Sequence, residues 1–294
     1  YAEDFYDEGY SKLAAAKPTT QKDVFASLPF SLVSIPDITL SNSFRFDKYG
    51  STVTNHLRNI AMESLSSDIR LFAMDMLSNI VSFQLSSEIS EDKSNESSLR
   101  IAAAASSINE YLCVGERADE RRTGDATVKV PQAELVAPLC QAIVKTSHAD
   151  TAEAGLTALH ALLEGTGHHL SSDTWYPLIE AIASLSGGAD IDCGIDRGIN
   201  AWSTCSMLSF RCLKLIVDDF LDILPSPPDL CSAGTRSALL DCCAAFGSSQ
   251  HDVNTSLTAT GMLWTIADQD LTPNSLDRVL EKLSSLSFDG RVEV

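Results

Sequence analysis

The sequence has no apolar run approaching the ~20 residues that a membrane-spanning helix needs. It has no cluster of Lys and Arg; the richest stretch, ERADERR at 116–122, mixes both signs. With 21 basic against 40 acidic residues, the formal charge is −19. A polyanion is repelled by nucleic acid and by anionic membrane, so neither is expected as a direct partner, and no direct membrane insertion is expected. Aromatics are only 7% of the chain and do not alternate with basic residues, which excludes a base-stacking surface. The opening YAEDFYDEGY lacks both an initiator Met and a basic-then-apolar signal pattern, so the expectation is a piece of a longer cytosolic protein.

Catalytic signatures are missing as well. There is no G-x-S-x-G, H-E-x-x-H or G-x-x-x-x-G-K-[ST]. The GTG at 165–167 follows a helical pattern rather than a strand, so it reads as a helix stop, not a dinucleotide turn. The loop DIDCGID at 190–196 spaces three carboxylates as Ca²⁺ would like. An EF-hand counted from Asp190 would need Gly where Ile195 stands and Glu where Ala201 stands, so an acidic surface loop is the expectation. His168 and His169 have no third or fourth ligand at zinc spacing. No catalytic residue, metal site or cofactor is therefore expected. Asn95-Glu96-Ser97 and Asn254-Thr255-Ser256 fit the glycosylation pattern by accident in a cytosolic array.

There are eight cysteines, without a Cys-x-x-Cys pair. Cys113, Cys140, Cys212, Cys242 and Cys243 fall inside apolar helical patterns, where a free thiol packs as a small hydrophobe. Reduced thiols are expected.

What is present is helical periodicity, with 44% apolar residues to supply a core. Only ATVKV at 126–130 alternates like a strand, and it is too short to count. Helices are expected over 51–64, 67–86, 97–113, 131–146, 150–164, 173–186, 202–224, 232–246, 252–268 and 273–286. Residues 1–50 read as an irregular lead-in with a short helix, and SSEISEDKSNESS at 86–98 as a flexible linker. Short links join 51–64 to 67–86, 131–146 to 150–164 and 232–246 to 252–268; 173–186 pairs with 202–224 across an insert at 187–202. Short links make antiparallel neighbours. Repeated pairs of about 40 residues indicate an all-α superhelix, a HEAT- or armadillo-like solenoid occupying 51–294.

The stretch DVNTSLTATGMLWTIAD at 252–268 poses a question of its own. On a helical wheel its apolar residues, Trp264 and Leu257 among them, cover more than half the circumference, which implies a helix sandwiched on most sides. The remaining strip is Asn254, Thr258, Gly261, Thr265 and Asp268. Mid-helix glycine costs ~1 kcal/mol against Ala, so Gly261 needs a reason. Close approach of a neighbouring helix, or of the SPPDL loop, is the expected one; a partner lying across the strip is the other. Trp175, Trp202 and Trp264 are all expected in the core. Arg211, Lys214, Asp218 and Asp222 form a solvated stripe on 202–224, while Asp219 lies off it, flanking the apolar face, where it bonds the next repeat or meets a partner. The candidate partner surface is thus Asn254, Thr258, Gly261, Thr265, Asp268 and Asp219.

The run SFRCLKLIVDDFLDILP at 209–225, the segment LLDCCAAFGSSQHDVNTSLTATGMLWTIAD at 239–268 and TWYPLIEAIASL at 174–185 together resemble the mid-to-C-terminal helical region of the Mon-two family. The resemblance covers about 130–268 and fades before 50; the insert at 187–202 and SPPDLCSAG at 226–234 depart from it. These are large Golgi and endosome scaffolds, related to the BIG/GBF Arf exchange factors but without their Sec-seven catalytic domain. The resemblance implies a non-catalytic scaffold, cytoplasmic and peripheral to Golgi and endosome membranes. It implies a Dopey-type partner, influence on a phospholipid flippase and a link to Arf-like GTPases. Two other readings stay open: an importin- or adaptin-like cargo adaptor, and a regulatory region of an Arf exchange factor.

Overall fold

The computed structural model describes residues 30–92, 130–186, 199–224, 233–248, 253–269, 277 and 279–284. All regular structure among them is helical: α1 (Phe30–Ser41), α2 (Phe46–Glu63), α3 (Ser67–Asp92), α4 (Gln132–Lys145), α5 (Ala149–Thr166), α6 (Trp175–Ala183), α7 (Ile199–Asp219), α8 (Ala233–Gly247) and α9 (Val253–Gln269). Of the helix expected over 273–286, residues 277 and 279–284 are described and are helical, with Val279 buried and Lys282 paired with Asp241 of α8 at 2.7 Å. Single 3₁₀ turns lie at Ser43–Arg45 and Gly167–His169. The expected helix 97–113 and strand-like 126–129 lie outside the described residues, as do the loops 190–196 and 226–232. The polar stretch expected to act as a linker from 86 begins as helix, because α3 runs on to Asp92.

The chain divides into two compact units. One comprises residues 1–50 and 83–129. In it the Tyr49 hydroxyl lies 2.9 Å from the Thr39 carbonyl and 2.7 Å from that of Asn42, tying the end of α1 to the start of α2.

The other unit comprises 51–82 and 130–294. Its helices start where short-range chemistry favours them: Asp68, Glu134 and Asp150 sit in the first turns of α3, α4 and α5, against the positive end of each helix dipole. They stack in two layers. α4, α6 and α8 pack successively in one, α5, α7 and α9 in the other, and α4–α5, α6–α7 and α8–α9 bridge between them. The C-terminal part of α2 and the N-terminal part of α3 extend the same layers, Arg58 donating to Gln141 on α4 and Arg70 to Thr151 on α5.

The register within the second layer is regular. The Cys205 thiol donates to the Ala149 carbonyl and the Cys212 thiol to that of Leu156. Seven residues further along α7 is seven residues further along α5, so the two helices run parallel. Arg70 meets Thr151, and the Met74 side chain lies 3.3 Å from where a Cβ on Gly155 would stand, the same step of four on α3 and α5. Successive helices of a layer that run parallel while each pair is antiparallel is the arrangement that stacked helix pairs require.

The core is continuous through both layers. Leu139, Ile143, Leu156, Leu159, Leu163 and Ile182 are fully buried. Trp175 (1% exposed) packs on Phe220 with ring centroids 5.5 Å apart, and Trp202 is 8% exposed, as expected of core positions. Gly155 and Gly167 allow close approach. A Cβ at Gly155 would stand 2.6 Å from Ile143 Cγ1, and one at Gly167 would stand 2.4 Å from the Phe220 ring.

Candidate functional site

Helix α9 buries one face only. Ser256, Ala259, Met262, Leu263, Ile266 and Ala267 are turned inward against α8 and α7. Asn254, Thr258, Gly261, Thr265 and Asp268 are all exposed, so the expected strip does face outward. The helix is not sandwiched, however. Val253, Leu257 and Trp264 are 58%, 61% and 53% exposed, which corrects the placement of Leu257 and Trp264 in the core. The main packing of α9 is on α8 and α7, so an apolar stripe is left beside the polar one.

The explanation expected for Gly261 is corrected as well. Among the described residues, no atom outside the helix's own backbone comes within 4 Å of the place its Cβ would occupy, so no neighbouring helix requires it; the SPPDL loop at 226–230 lies outside the described residues. The glycine opens a notch between Leu257 and Trp264, one turn from each, on the surface of the helix. Thr258 and Thr265 bond back to the carbonyls of Asn254 (2.8 Å) and Gly261 (3.4 Å), so their methyl groups add to the apolar character of the outward face.

Asp219 is brought near this face but not tucked into it. It is exposed, and among the described residues no hydrogen bond from it to a neighbouring repeat is present. Arg211, Lys214, Asp218 and Asp222 are exposed, as read from the sequence.

Asp219 and Asp268 lie at the same end of the array. Phe210 on α7 packs on Phe246 near the end of α8, with ring centroids 5.3 Å apart. Arg236 near the start of α8 donates to the carbonyl of Leu224, just beyond α7. α7 and α8 are therefore antiparallel. Ser256 near the start of α9 donates to the Gly247 carbonyl at the end of α8, so α8 and α9 are antiparallel too, and α9 runs parallel to α7. The last turns of α5, α7 and α9 accordingly share one edge, and each carries acid: Glu164, Asp218 with Asp219, and Asp268. None of the three has a basic residue in its last turn. Carboxylates beside the negative end of a helix dipole cost a few tenths of a kcal/mol each at an exposed site; Glu164 has His160 at 3.5 Å, while Asp218, Asp219 and Asp268 form no ion pair among the described residues.

Two further clusters stand out, and both serve the fold. Arg70, 7% exposed, is paired at 2.7 Å with Asp150 and donates to the carbonyls of Ser64 and Leu65 at the end of α2. Burial pushes the Asp150 carboxyl up, but hydrogen bonds from Ser67, Arg70 and the Thr151 backbone outweigh it and hold it below the usual range. Cys140, Cys205, Cys212, Cys242 and Cys243 are buried free thiols. Burial pushes Cys140, Cys212 and Cys243 up to about 12 and Cys205 to about 11, so they are neutral packing groups rather than nucleophiles. His168 packs edge-on against Phe220 at 4.8 Å. Among the described residues no three His, Cys, Asp or Glu converge to hold a metal ion, and no helix is long and apolar enough to cross a membrane.

The architecture defines a class: an all-helical array of stacked antiparallel pairs, with a polar-and-apolar helix face exposed on α9. Within that class, the chain is similar to the protein MON2 homolog of Schizosaccharomyces pombe, 32% identical over 121 residues that make up 40% of this chain and 7% of that protein. It is also similar to the protein MON2 homolog of Drosophila melanogaster, 28% identical over 138 residues, 47% of this chain and 7% of that protein. These two relatives bear out the resemblance to the Mon-two family read from the helices. The matches span only about 7% of the length of each relative. No family model matches the chain, and no solved structure matches it.

The sequence reading missed Val253, Leu257 and Trp264 as surface residues, because a wheel counts apolar positions but not the neighbours available to cover them. The acid in the last turn of each second-layer helix was readable, as a helix end that lacks its favoured cation.

Proposed function

We propose that this chain is a non-catalytic scaffold segment of a large protein acting in traffic between endosomes and the Golgi. On this reading it binds other proteins through the outer face of α9, with Asn254, Thr258, Gly261, Thr265 and Asp268 as contact positions and Asp219 at the rim. The observation that supports the reading is the similarity to two MON2 homologs over 121 and 138 residues of a chain whose described regular structure is all helical. A Dopey-type protein is the proposed partner. Flippase regulation and an Arf-like GTPase pathway are the proposed setting, and cytoplasmic faces of Golgi and endosome membranes the proposed location.

Pull-down with the 294-residue chain tests the reading. A Dopey-type protein among the captured species supports it. Capture of basic cargo peptides alone would move the assignment to an importin- or adaptin-like adaptor. Faster nucleotide release from an Arf-type GTPase at micromolar chain would replace it with a role in exchange.

The notch at Gly261 gives a sharper form of the test. Gly261→Gln fills open space, so its melting temperature is expected at or above that of the wild type, while capture of the partner is lost.

A further inference from the structure

We infer that the outer face of α9, together with the acidic rim at the C-terminal ends of α5, α7 and α9, receives a basic amphipathic helix of a partner protein. The inference rests on the scaffold reading and adds the chemistry of what is bound.

Two independent observations meet here. The first is apolar: Val253, Leu257 and Trp264 stand more than half exposed, in line along the helix, with an unfilled notch at Gly261 between the last two. A partner helix reads such a stripe with side chains one turn apart, and an exposed Trp beside a pocket is a common anchor of binding energy. From residue 253 to 268 the face is about 22 Å long at 1.5 Å per residue, enough for a partner helix of about four turns.

The second observation is electrostatic. The stripe ends at Asp268, in the same edge as Asp218 and Asp219, and none of the last turns there carries a base. Helix dipoles add further negative potential at that edge. A partner with Lys or Arg at one end of its apolar face satisfies both features, and an antiparallel partner also brings its own positive N-terminus to the rim. An acidic or neutral partner would leave the rim uncompensated, and the chain's net charge of −19 opposes an acidic one at every distance.

The structure supplies its own reporter. Of three tryptophans only Trp264 is exposed, so a change in emission on binding reports this face. The probe is a synthetic 18-residue helix of Leu and Lys in amphipathic order, labelled for anisotropy, beside an analogue with Glu in place of each Lys. With the 294-residue chain, the Lys peptide is expected to bind and to shift tryptophan emission to the blue, and the Glu analogue to bind at least tenfold more weakly. Trp264→Ala or Leu257→Asp should weaken the Lys peptide at least fivefold. The triple change Asp218→Asn, Asp219→Asn, Asp268→Asn should weaken it at least threefold, with a melting temperature equal to or above the wild type. Equal binding of both peptides, binding unchanged by Trp264→Ala and Leu257→Asp, or no emission shift overturns the inference. So does sedimentation showing a dimer that Trp264→Ala dissolves, since the face would then belong to a second copy. If a Dopey-type partner is captured but the Lys peptide fails, this inference alone falls; if the peptide binds and no such partner is captured, the scaffold reading falls instead.

Discussion

Gly155 on α5 and Gly261 on α9 occupy helices of the same layer, and their surroundings are opposite. A methyl at Gly155 would collide with Ile143 Cγ1, which is attached to the branched Cβ and moves only if the stiff χ1 of the side chain changes. Gly155→Ala is expected to destabilise the chain by about 1–3 kcal/mol, the usual cost of overpacking. Gly261→Ala meets nothing and is expected to stabilise by about 0.5–1 kcal/mol, through helix propensity alone. Thermal denaturation of the two variants side by side should show melting temperatures moving in opposite directions. Neither outcome was legible in the sequence, where both are glycines within apolar helical patterns. Only the neighbours distinguish them.

The cysteines behave as one class at the same scale. With Cys140, Cys212 and Cys243 held near 12 and Cys205 near 11, the folded thiols stay protonated where unfolded thiols, near 8.5, have ionised. The unfolded chain then binds fewer protons than the folded one. The stability from burying these thiols is complete below about pH 8.5 and falls as pH rises toward 11 and 12. Denaturation midpoints between pH 8 and 11 should decline, and maleimide should label the five described thiols far more slowly in the folded than in the unfolded protein.

Among the elements, the α3–α5 junction carries the most polar chemistry. Arg70 is buried and has the Asp150 carboxylate as its counterion, with Asp150 itself 35% exposed. Removing the carboxylate leaves a buried guanidinium without its charge partner. Asp150→Ala is expected to cost about 2 kcal/mol, below the 3–5 kcal/mol of a fully buried pair because solvent reaches one side. The folded Asp150 carboxyl lies below its ordinary value, so its contribution is present at neutral pH and is lost as pH falls below the usual carboxylate range. Asp150→Asn should therefore flatten the acid limb of the stability profile relative to wild type in urea titrations.

Most helix positions were legible because caps, first-turn acids and 3.6-residue periodicity are local. The expected 150–164 is α5 at Ala149–Thr166, and 252–268 is α9 at Val253–Gln269. The end of the expected 202–224 was not legible. α7 stops at Asp219 although Phe220, Leu221 and Leu224 continue the apolar pattern, because these three are buried in the turn that leads away from the helix. Nor was the one-sided burial of α9 legible, since amphipathicity describes a helix and not its neighbours.

For the second unit as a whole, constant register is the organising feature. Each second-layer helix meets the next in parallel, held by small groups at the crossing: Gly155 under Met74, and the Cys205 and Cys212 thiols on the α5 backbone. Such an array is built to present one face of each successive helix, and its chemistry follows from what those faces carry. On α9 they carry an indole, a notch and a carboxylate. The central claim is that this face meets another protein. Its most direct test is a photoreactive benzophenone residue at Gly261, and as a control at exposed Glu180 on α6, in the protein as cells make it. Irradiation in cells followed by mass spectrometry is expected to join position 261, but not position 180, to a second protein through a Lys- or Arg-bearing helix. Cross-links from position 261 only to the same polypeptide would mean that the face is closed by the chain's own packing, and would contradict the account.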